Sequence, residues 1–254
     1  MDKTFSLEGK SFLVAGGTRG IGRAISLQFA RAGARIVANY VRDERSAQTL
    51  KKEAEKTGLS LSICRADLTS DKGLARLKSF IDDNLGSLSG MVFCAATGIH
   101  KPFPELKVRH FDWTFSLNVK AFFKLTHMLL PKFQRPASIV ILSSQGARQV
   151  APCYSLIGAS KGALESLARH LAVELAPKGV RVNILSPGPV RTGSWSVMPN
   201  SAARLSGAKK RTPLGRLTTP EEAARAAQFL CTDAAQGIIG HTLIVDGGMS
   251  LIGE

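Results

Sequence analysis

Short apolar runs alternate with stretches of helical periodicity along nearly the whole chain. The strand-like runs cover residues 11–15, 35–39, 59–64, 90–94, 138–142, 180–185 and 241–245. The helical stretches between them cover residues 21–32, 46–56, 71–85, 111–133, 154–176 and 220–230. Strands that are apolar throughout and joined by long crossovers are typical of parallel sheets covered by helices on both faces. The pattern therefore predicts an α/β fold, with one doubly wound domain over residues 1–254 and a seven-stranded parallel sheet.

One long segment departs from this alternation. Residues 186–213 are rich in turn-forming residues, and long irregular loops in compact domains are usually functional. We expect a substrate lid over residues 190–213. Its apolar side chains can cover an acyl chain while its cations face a phosphate, or it is an ordinary solvated loop with core anchors. The residues concerned are Trp195, Val197, Met198 and Leu205, and Arg204, Lys209, Lys210 and Arg211.

Charge and composition limit the classes of molecule that this chain is expected to bind. The chain has a formal net charge of +15 and a pI near 10.1, which suits an anionic partner. Its basic residues are scattered without aromatic-flanked arrays or zinc-finger spacing, so we expect no nucleic-acid binding. No apolar segment reaches the roughly 18 residues of a membrane span, and we expect a cytoplasmic protein without membrane contact. The four cysteines are far apart, which argues against disulfides and against a metal site.

A glycine-rich turn lies where the first strand gives way to the first helix. Backbone N–H groups and the helix dipole can hold a pyrophosphate at such a turn, which is typical of Rossmann-type dinucleotide sites. The spacing is G-x-x-x-G-x-G instead of the commoner G-x-G-x-x-G. The predicted contacts are Gly16, Thr18, Arg19, Gly20, Ile21 and Gly22.

The end of the second strand predicts which dinucleotide binds. NAD sites usually carry an acid there for the ribose 2′-hydroxyl, but this strand ends in Asn39 and Tyr40. Arg42, together with Arg19, can pair with a 2′-phosphate. We therefore predict NADPH over NADH, with Asn39, Tyr40 and Arg42 among its contacts. The alternative is that Arg42 only caps or solvates a helix start.

With these residues in view, the sequence resembles the short-chain dehydrogenase/reductase superfamily over essentially its whole length. The matching motifs are Gly16-x-x-x-Gly20-x-Gly22, Asp67-Leu68, Asn118, Ser143-Ser144, Lys161 and Pro187-Gly188. The resemblance implies adenine contacts from Asp67 and Leu68, a nicotinamide pocket, a water-mediated proton path at Asn118, and a homotetramer. Pro187, Gly188, Val190 and Thr192 would line the nicotinamide, and Cys94, Ala95 and Ala96 are further predicted cofactor contacts. Phe93-Cys94-Ala95-Ala96 replaces the family's Asn-Asn-Ala-Gly, so side-chain hydrogen bonds that brace that turn are expected to be missing.

The family's Tyr-x-x-x-Lys motif is altered. Four residues before Lys161 stands Ile157, which cannot transfer a proton, and the phenol is Tyr154, seven residues before the lysine. This Tyr-x6-Lys spacing resembles the bacterial enoyl-acyl-carrier-protein reductases, most closely the NADPH-dependent type III enzymes. On a helix, spacings of four and seven residues both keep phenol and lysine on one face, but the longer one separates them by about 10.5 Å instead of 6 Å.

The longer spacing favours one chemistry. Carbonyl reduction brings hydride and proton to the two atoms of one C=O bond, whereas reduction of an enoyl thioester delivers hydride to Cβ while charge develops on the thioester oxygen. We therefore predict NADPH-dependent enoyl thioester reduction, on coenzyme A or on an acidic acyl carrier protein. Tyr154 would hydrogen-bond the enolate, and Lys161 would orient the nicotinamide ribose and lower the pKa of Tyr154.

Several alternatives remain open at this point. Ser144 is a weaker catalytic candidate, because it can simply hold its turn. Tyr154 can be an ordinary half-buried aromatic residue at a helix start. A ketoreductase that reaches Tyr154 by a local helix shift, and a nucleotide-sensing regulator without turnover, are the competing functions.

Overall fold

The computed structural model describes residues 4–191, 193 and 201–252, and within them strands and helices alternate as the sequence predicts. The strands are β1 (Ser11–Ala15), β2 (Arg35–Tyr40), β3 (Leu61–Arg65), β4 (Leu88–Phe93), β5 (Phe133–Leu142), β6 (Val180–Pro187) and β7 (Thr242–Val245). The helices are α1 (Gly20–Arg31), α2 (Glu44–Lys56), α3 (Asp71–Asn84), α4 (Val108–Phe115), α5 (Ala121–Leu129), α6 (Ser155–Leu175), α7 (Ser201–Arg211) and α8 (Pro220–Cys231). A π-helical turn, Ser116–Lys120, joins α4 to α5.

The strands form one seven-stranded sheet in the order β3-β2-β1-β4-β5-β6-β7, and every neighbouring pair is parallel. The chain first builds outward from β1 to β3 and then returns to place β4 on the other side of β1. The predicted doubly wound sheet is thus confirmed. The reversal opens a crevice at the carboxyl ends of β1 and β4, where open α/β sheets bind their ligands.

Two apolar layers cover the sheet, one on each face. On one face, α3, α5 and α6 contribute Leu77, Phe122 and Leu164, each fully buried. On the opposite face, α1 and α8 contribute Phe29 and Leu230, also fully buried. This double coverage explains why the strands read as continuous apolar runs instead of alternating ones.

Polar side chains mark where three helices begin. The carboxylate of Asp43 accepts from the N–H of Ser46 (3.0 Å) at the start of α2. The hydroxyl of Ser70 accepts from the N–H of Gly73 (3.0 Å) at the start of α3. Thr219 begins α8 in a capping box that Glu222 completes. Each cap satisfies an N–H group that the helix itself leaves unbonded.

Two parts of the prediction differ from the structure by several residues: the junction of α5 with β5, which was predicted to begin at residue 138, and the segment from 186 to 213. The helical stretch predicted to run to Phe133 ends earlier, because α5 stops at Leu129 and Phe133 already begins β5. The segment from 186 to 213, predicted to be irregular, contains the 11-residue helix α7. The sequence of α7 is polar and glycine-containing, which hides its helical periodicity. Thr192, Trp195, Val197 and Met198 lie outside the described residues, as does the side chain of Arg204.

Among the described residues, no helix is both long enough and apolar enough to cross a membrane.

Candidate active site

The glycine turn lies at the carboxyl end of β1, beside the segment that follows β4. Gly16 adopts φ +73°, and a Cβ there would lie 2.9 Å from the backbone N and Cα of Ala95. The N–H of Gly17 donates to the carbonyl of Asn39 (3.0 Å), so the end of β2 supports the same turn. Glycine is therefore required where three strand ends converge on the crevice.

The following helix presents its N-terminus to the crevice. Gly20, Ile21 and Gly22 form the first turn of α1, which contains no acidic residue. Arg19 precedes it in an extended conformation and is exposed, whereas Thr18 is buried. A helix N-terminus with an adjacent guanidinium and no competing carboxylate fits the pyrophosphate of a dinucleotide.

The residues at the end of β2 divide into structural and exposed ones. The amide nitrogen of Asn39 donates to the carbonyl of Ala66 (2.9 Å), and the phenol of Tyr40 donates to Glu44 (2.8 Å). Both side chains are buried, and these hydrogen bonds brace the carboxyl end of β2. Arg42 is exposed beside them, and the Asp43 carboxylate is occupied by its hydrogen bonds to Ser46.

The remaining predicted cofactor residues also lie at carboxyl ends of strands. Asp67 follows β3 and accepts from the N–H of Thr69 (2.9 Å), while the adjacent Leu68 is buried. Cys94, Ala95 and Ala96 follow β4, and Pro187, Gly188 and Val190 end or follow β6. The structure thus places the described members of this set along one edge of the sheet.

Ser144 and Tyr154 meet at the end of β5. The Tyr154 phenol donates to the Ser144 hydroxyl (3.3 Å), and that hydroxyl accepts from the N–H of Gly146 (3.2 Å). A Cβ on Gly146 would lie 2.5 Å from the Tyr154 ring, so the ring rests directly on this glycine. The His100 ring packs beside the Tyr154 ring, with centroids 5.5 Å apart and the planes tilted by 39°. Ser144, Gly146 and His100 therefore hold the phenol in a defined position, which we call the seat of Tyr154.

Tyr154 is the N-cap of α6 and precedes its first turn. Cys153, just before it, adopts the left-handed conformation at φ +59°, which costs roughly 1–2 kcal/mol for a residue with a Cβ. Such strain is common at functional sites. Here the left-handed residue forms a sharp turn of the backbone directly before Tyr154. Ile157, one turn further, is buried, and its side chain occupies the space where Gly98 lacks one.

Lys161 lies deeper, within α6. Its ammonium group is buried and donates to the carbonyl of Leu142 (2.6 Å) at the end of β5. Burial lowers the pKa of Lys161 to about 8, against the opposing effects of Cys94 and Glu165. Burial likewise raises the pKa of the Cys94 thiol to about 12. Lys161 is thus a buried cation whose pKa lies well below the usual value of a lysine.

Asn118 lies in the π-helical turn and is completely buried. Its carboxamide accepts from the N–H of Thr97 (2.8 Å) and donates to the carbonyl of Thr97 (2.9 Å) and the hydroxyl of Ser160 (2.8 Å). The side chain therefore ties the segment after β4 to α6. Any part it has in a proton path would run through its backbone.

One electrostatic prediction is wrong. We expected the Lys161 charge to lower the pKa of Tyr154, but that pKa is raised above its usual value. Burial is the larger cause, and the hydrogen bond to Ser144 opposes it only in part. Tyr154 is therefore a neutral donor at physiological pH, which suits stabilising an oxyanion by a hydrogen bond.

Sequence reasoning missed a buried carboxylate. Glu165, one helical turn beyond Lys161, accepts from the hydroxyl of Ser143 and from the guanidinium of Arg148. A signal was present, because an acid directly after Leu164 and ahead of Leu167 and Ala168 interrupts an apolar helical run. Its partners lie 17 and 22 residues away, and spacing alone does not identify them.

Comparisons with known proteins agree with this geometry. A family model described as enoyl-(acyl carrier protein) reductase matches residues 15–250. A tropinone reductase homolog from Arabidopsis thaliana is 38% identical over 261 residues, covering 100% of this chain and 97% of that protein. A 1-cyclohexenylcarbonyl-CoA reductase from Streptomyces collinus is 33% identical over 242 residues, covering 94% of this chain and 86% of that protein.

Among solved structures, a 7α-hydroxysteroid dehydrogenase complexed with NADH and 7-oxo glycochenodeoxycholic acid superimposes with a TM-score of 0.91. The two sequences are 31% identical, and the match covers 97% of this chain and 96% of that one. Fold and site define a dinucleotide-dependent α/β oxidoreductase. The chain belongs to the short-chain dehydrogenase/reductase superfamily.

The seat of Tyr154 can be tested with Gly146→Ala. The added methyl would displace the phenol ring, and because misplacing a catalytic group by about 1 Å can cost about 100-fold, we expect turnover to fall by a factor of that order. Nicotinamide dinucleotide affinity, measured by fluorescence titration, should stay unchanged. Gly162→Ala is the matched control, since a Cβ there would meet its nearest neighbour at an ordinary 3.6 Å. Equal turnover in the two variants would show that this seat is unimportant.

Proposed function

We propose that this protein is an NADPH-dependent reductase of the conjugated C=C bond of enoyl thioesters. One observation carries the proposal: the phenol at the site belongs to Tyr154, whereas the position four residues before Lys161 holds Ile157, packed against Gly98. The chain has one other tyrosine, Tyr40, and it lies at the end of β2. In carbonyl reduction the protonated oxygen is bonded to the carbon that accepts the hydride. The position that usually supplies the phenol for this protonation thus holds no phenol here.

The described residues suit conjugate reduction. When bound, the reduced nicotinamide supplies the hydride, which adds to Cβ as the C=C π electrons move toward the thioester carbonyl. Tyr154 donates a hydrogen bond to the oxygen on which charge develops, and Cα then takes a proton from solvent. Burial raises the pKa of Tyr154, which favours the protonated phenol that such a hydrogen bond needs. Lys161 adds positive charge and holds the ribose.

Relatives support two chemistries. The cyclohexenylcarbonyl-CoA reductase is named for a C=C bond next to a thioester carbonyl, and the family model is described by enoyl reduction. The tropinone reductase homolog and the hydroxysteroid dehydrogenase are named for carbonyl and hydroxyl substrates. A carbonyl reductase is therefore our second candidate, and the direct contact between Ser144 and Tyr154 favours it, because that serine and tyrosine can together polarise a carbonyl oxygen.

The decisive experiment follows NADPH oxidation with crotonyl and acetoacetyl thioesters in parallel, each on coenzyme A and on an acidic acyl carrier protein. We expect turnover with the enoyl substrates. If the net charge of +15 and the basic end of α7 serve a carrier protein, added salt should raise KM for carrier-bound substrates more than for coenzyme A thioesters.

Tyr154→Phe is the control for this assay. It should keep NADPH affinity and lose about 100- to 1,000-fold in turnover, the effect of removing one oxyanion donor. Reduction of acetoacetyl but not crotonyl thioesters would establish the carbonyl reductase instead. If neither substrate is turned over while NADPH binds tightly, a nucleotide-sensing regulator becomes the better description.

The choice of NADPH rests on the charges at the end of β2. Arg42 and Arg19 are exposed there. Hydrogen bonds from Ser46 lower the pKa of Asp43, and the nearby Arg19 guanidinium lowers it further. The Asp43 carboxylate is held by Ser46, so it is not placed to accept from a ribose hydroxyl. Two cations without a free carboxylate suit a 2′-phosphate.

Arg42→Ala tests this preference. Loss of a charge-assisted contact to the 2′-phosphate should raise KM for NADPH about 10-fold, the equivalent of about 1.4 kcal/mol. KM for NADH should not change, because NADH lacks that phosphate. Arg225→Ala, an exposed arginine on α8, is the matched control. A wild-type preference for NADH, or equal effects of Arg42→Ala on both cofactors, would refute the assignment.

We also propose a homotetramer. Large apolar side chains are exposed on neighbouring helices, with 76% of Val108, 46% of Phe111 and 52% of Phe123 accessible in the single chain. Exposed apolar surface of this kind is typical of protein interfaces. Light scattering should give about four times the chain mass of 27.1 kDa, and Phe123→Glu should lower it. A monomeric wild type would contradict this proposal without touching the chemistry.

A further inference from the structure

The turn formed by residues 144–148 is the platform of the candidate site. Ser144 begins it, Arg148 ends it, and the Tyr154 ring rests on Gly146 in its middle. Gln145 also donates to Asp246 (2.9 Å), which ties the turn to the segment after β7. The position of the Ser144 hydroxyl and of the phenol therefore depends on how firmly this short turn is held.

One carboxylate holds the turn at both ends. Glu165 accepts from the hydroxyl of Ser143 (2.5 Å), immediately before the turn, and from Nε (3.1 Å) and Nη2 (3.2 Å) of Arg148, its last residue. Only 4% of Glu165 is exposed, while the Arg148 side chain is 41% exposed. A buried carboxylate is costly unless it is paired and hydrogen-bonded, and these three donors meet that requirement.

We propose that Glu165 is a positioning residue for the reaction: it holds Ser143 and Arg148, and thereby keeps Ser144 and Tyr154 in register with Lys161 on α6. The proposal deepens the proposed function, since it concerns the same site. It holds for enoyl and for carbonyl reduction, because both need the phenol fixed relative to the lysine.

A role in packing alone does not account for this arrangement. The buried residues of α6 around Glu165 include the apolar Leu164 and Ala168 and the cation Lys161. Replacing a buried ion pair by apolar residues is often neutral or stabilising. A buried acid bonded to both ends of a catalytic turn is better explained by the geometry that it imposes.

Glu165 also acts on Lys161 by its charge. The groups that act on the buried ammonium are the Cys94 thiol after β4, the Leu142 carbonyl at the end of β5 and Glu165 on α6. Burial lowers the Lys161 pKa to about 8, and Glu165 opposes that shift. Removing the negative charge should therefore lower this pKa further. If protonated Lys161 is required, activity is lost as pH rises through its pKa, and the loss should begin at lower pH in a Glu165→Gln variant.

The experiment compares Glu165→Gln, Arg148→Ala and the double variant with Glu174→Gln, an exposed glutamate on the same helix. Turnover of the substrate that the wild type accepts should fall about 10- to 100-fold in Glu165→Gln with little change in KM. The alkaline limb of its pH profile should move to lower pH. Arg148→Ala should lower turnover less, because Ser143 still holds Glu165, and the double variant should be no worse than Glu165→Gln.

Hydrogen exchange gives a readout that needs no substrate. Amides of residues 144–148 should exchange faster in Glu165→Gln and in Arg148→Ala than in the wild type, while Glu174→Gln should not differ from it. If the wild type reduces no thioester, the proposed function fails, and exchange alone decides the inference. Wild-type exchange in residues 144–148 of both variants would overturn it. So would a Glu165→Gln variant with wild-type turnover and pH profile.

Discussion

A buried ammonium organises this site. The Lys161 ammonium is removed from water. The free-energy cost of burying this charge is offset by the carbonyl of Leu142 at 2.6 Å and by the negative charge of Glu165 one turn along α6. The bond to Leu142 fixes α6 against the end of β5. The carboxylate in turn fixes the 144–148 turn that continues from this strand. Helix, strand and turn are therefore held by one set of charges, on which the position of the phenol depends.

Much of the fold follows from the sequence because its signals are local. The five residues of β1 are all buried, and their apolar run gives both its limits correctly. Composition fails where only a short 3-10 turn, Leu130–Lys132, separates α5 from β5: Phe133 is apolar and suits either the end of a helix or the start of β5. The prediction missed helix α7 for a different reason. Its polar sequence shows too weak a periodicity to distinguish a helix from a loop.

The candidate site was predictable in part. Motif spacing placed Ser144, Tyr154 and Lys161 near one another, and the structure brings Ser144 and Tyr154 into contact. Spacing could not show that the phenol rests on Gly146, nor that Glu165 reaches Arg148, because both contacts arise from the way the turn folds back on α6. The pKa of Tyr154 was misjudged for a related reason. Its burial depends on distant parts of the chain, and burial outweighs the hydrogen bond to Ser144, whereas the Lys161 charge was expected to lower this pKa.

The site has its phenol at position 154 and an isoleucine at position 157, where the family motif has the tyrosine. This difference bears on which substrates the site accepts. An isoleucine packed into the space at Gly98 makes that part of the site apolar, while the phenol lies at the N-cap of α6, on the turn after β5. A substrate whose reacting carbon is separated from its charged oxygen can satisfy both regions at once. We propose that this arrangement discriminates between substrates by the distance between hydride acceptor and oxyanion, which Glu165 would fix by holding the turn.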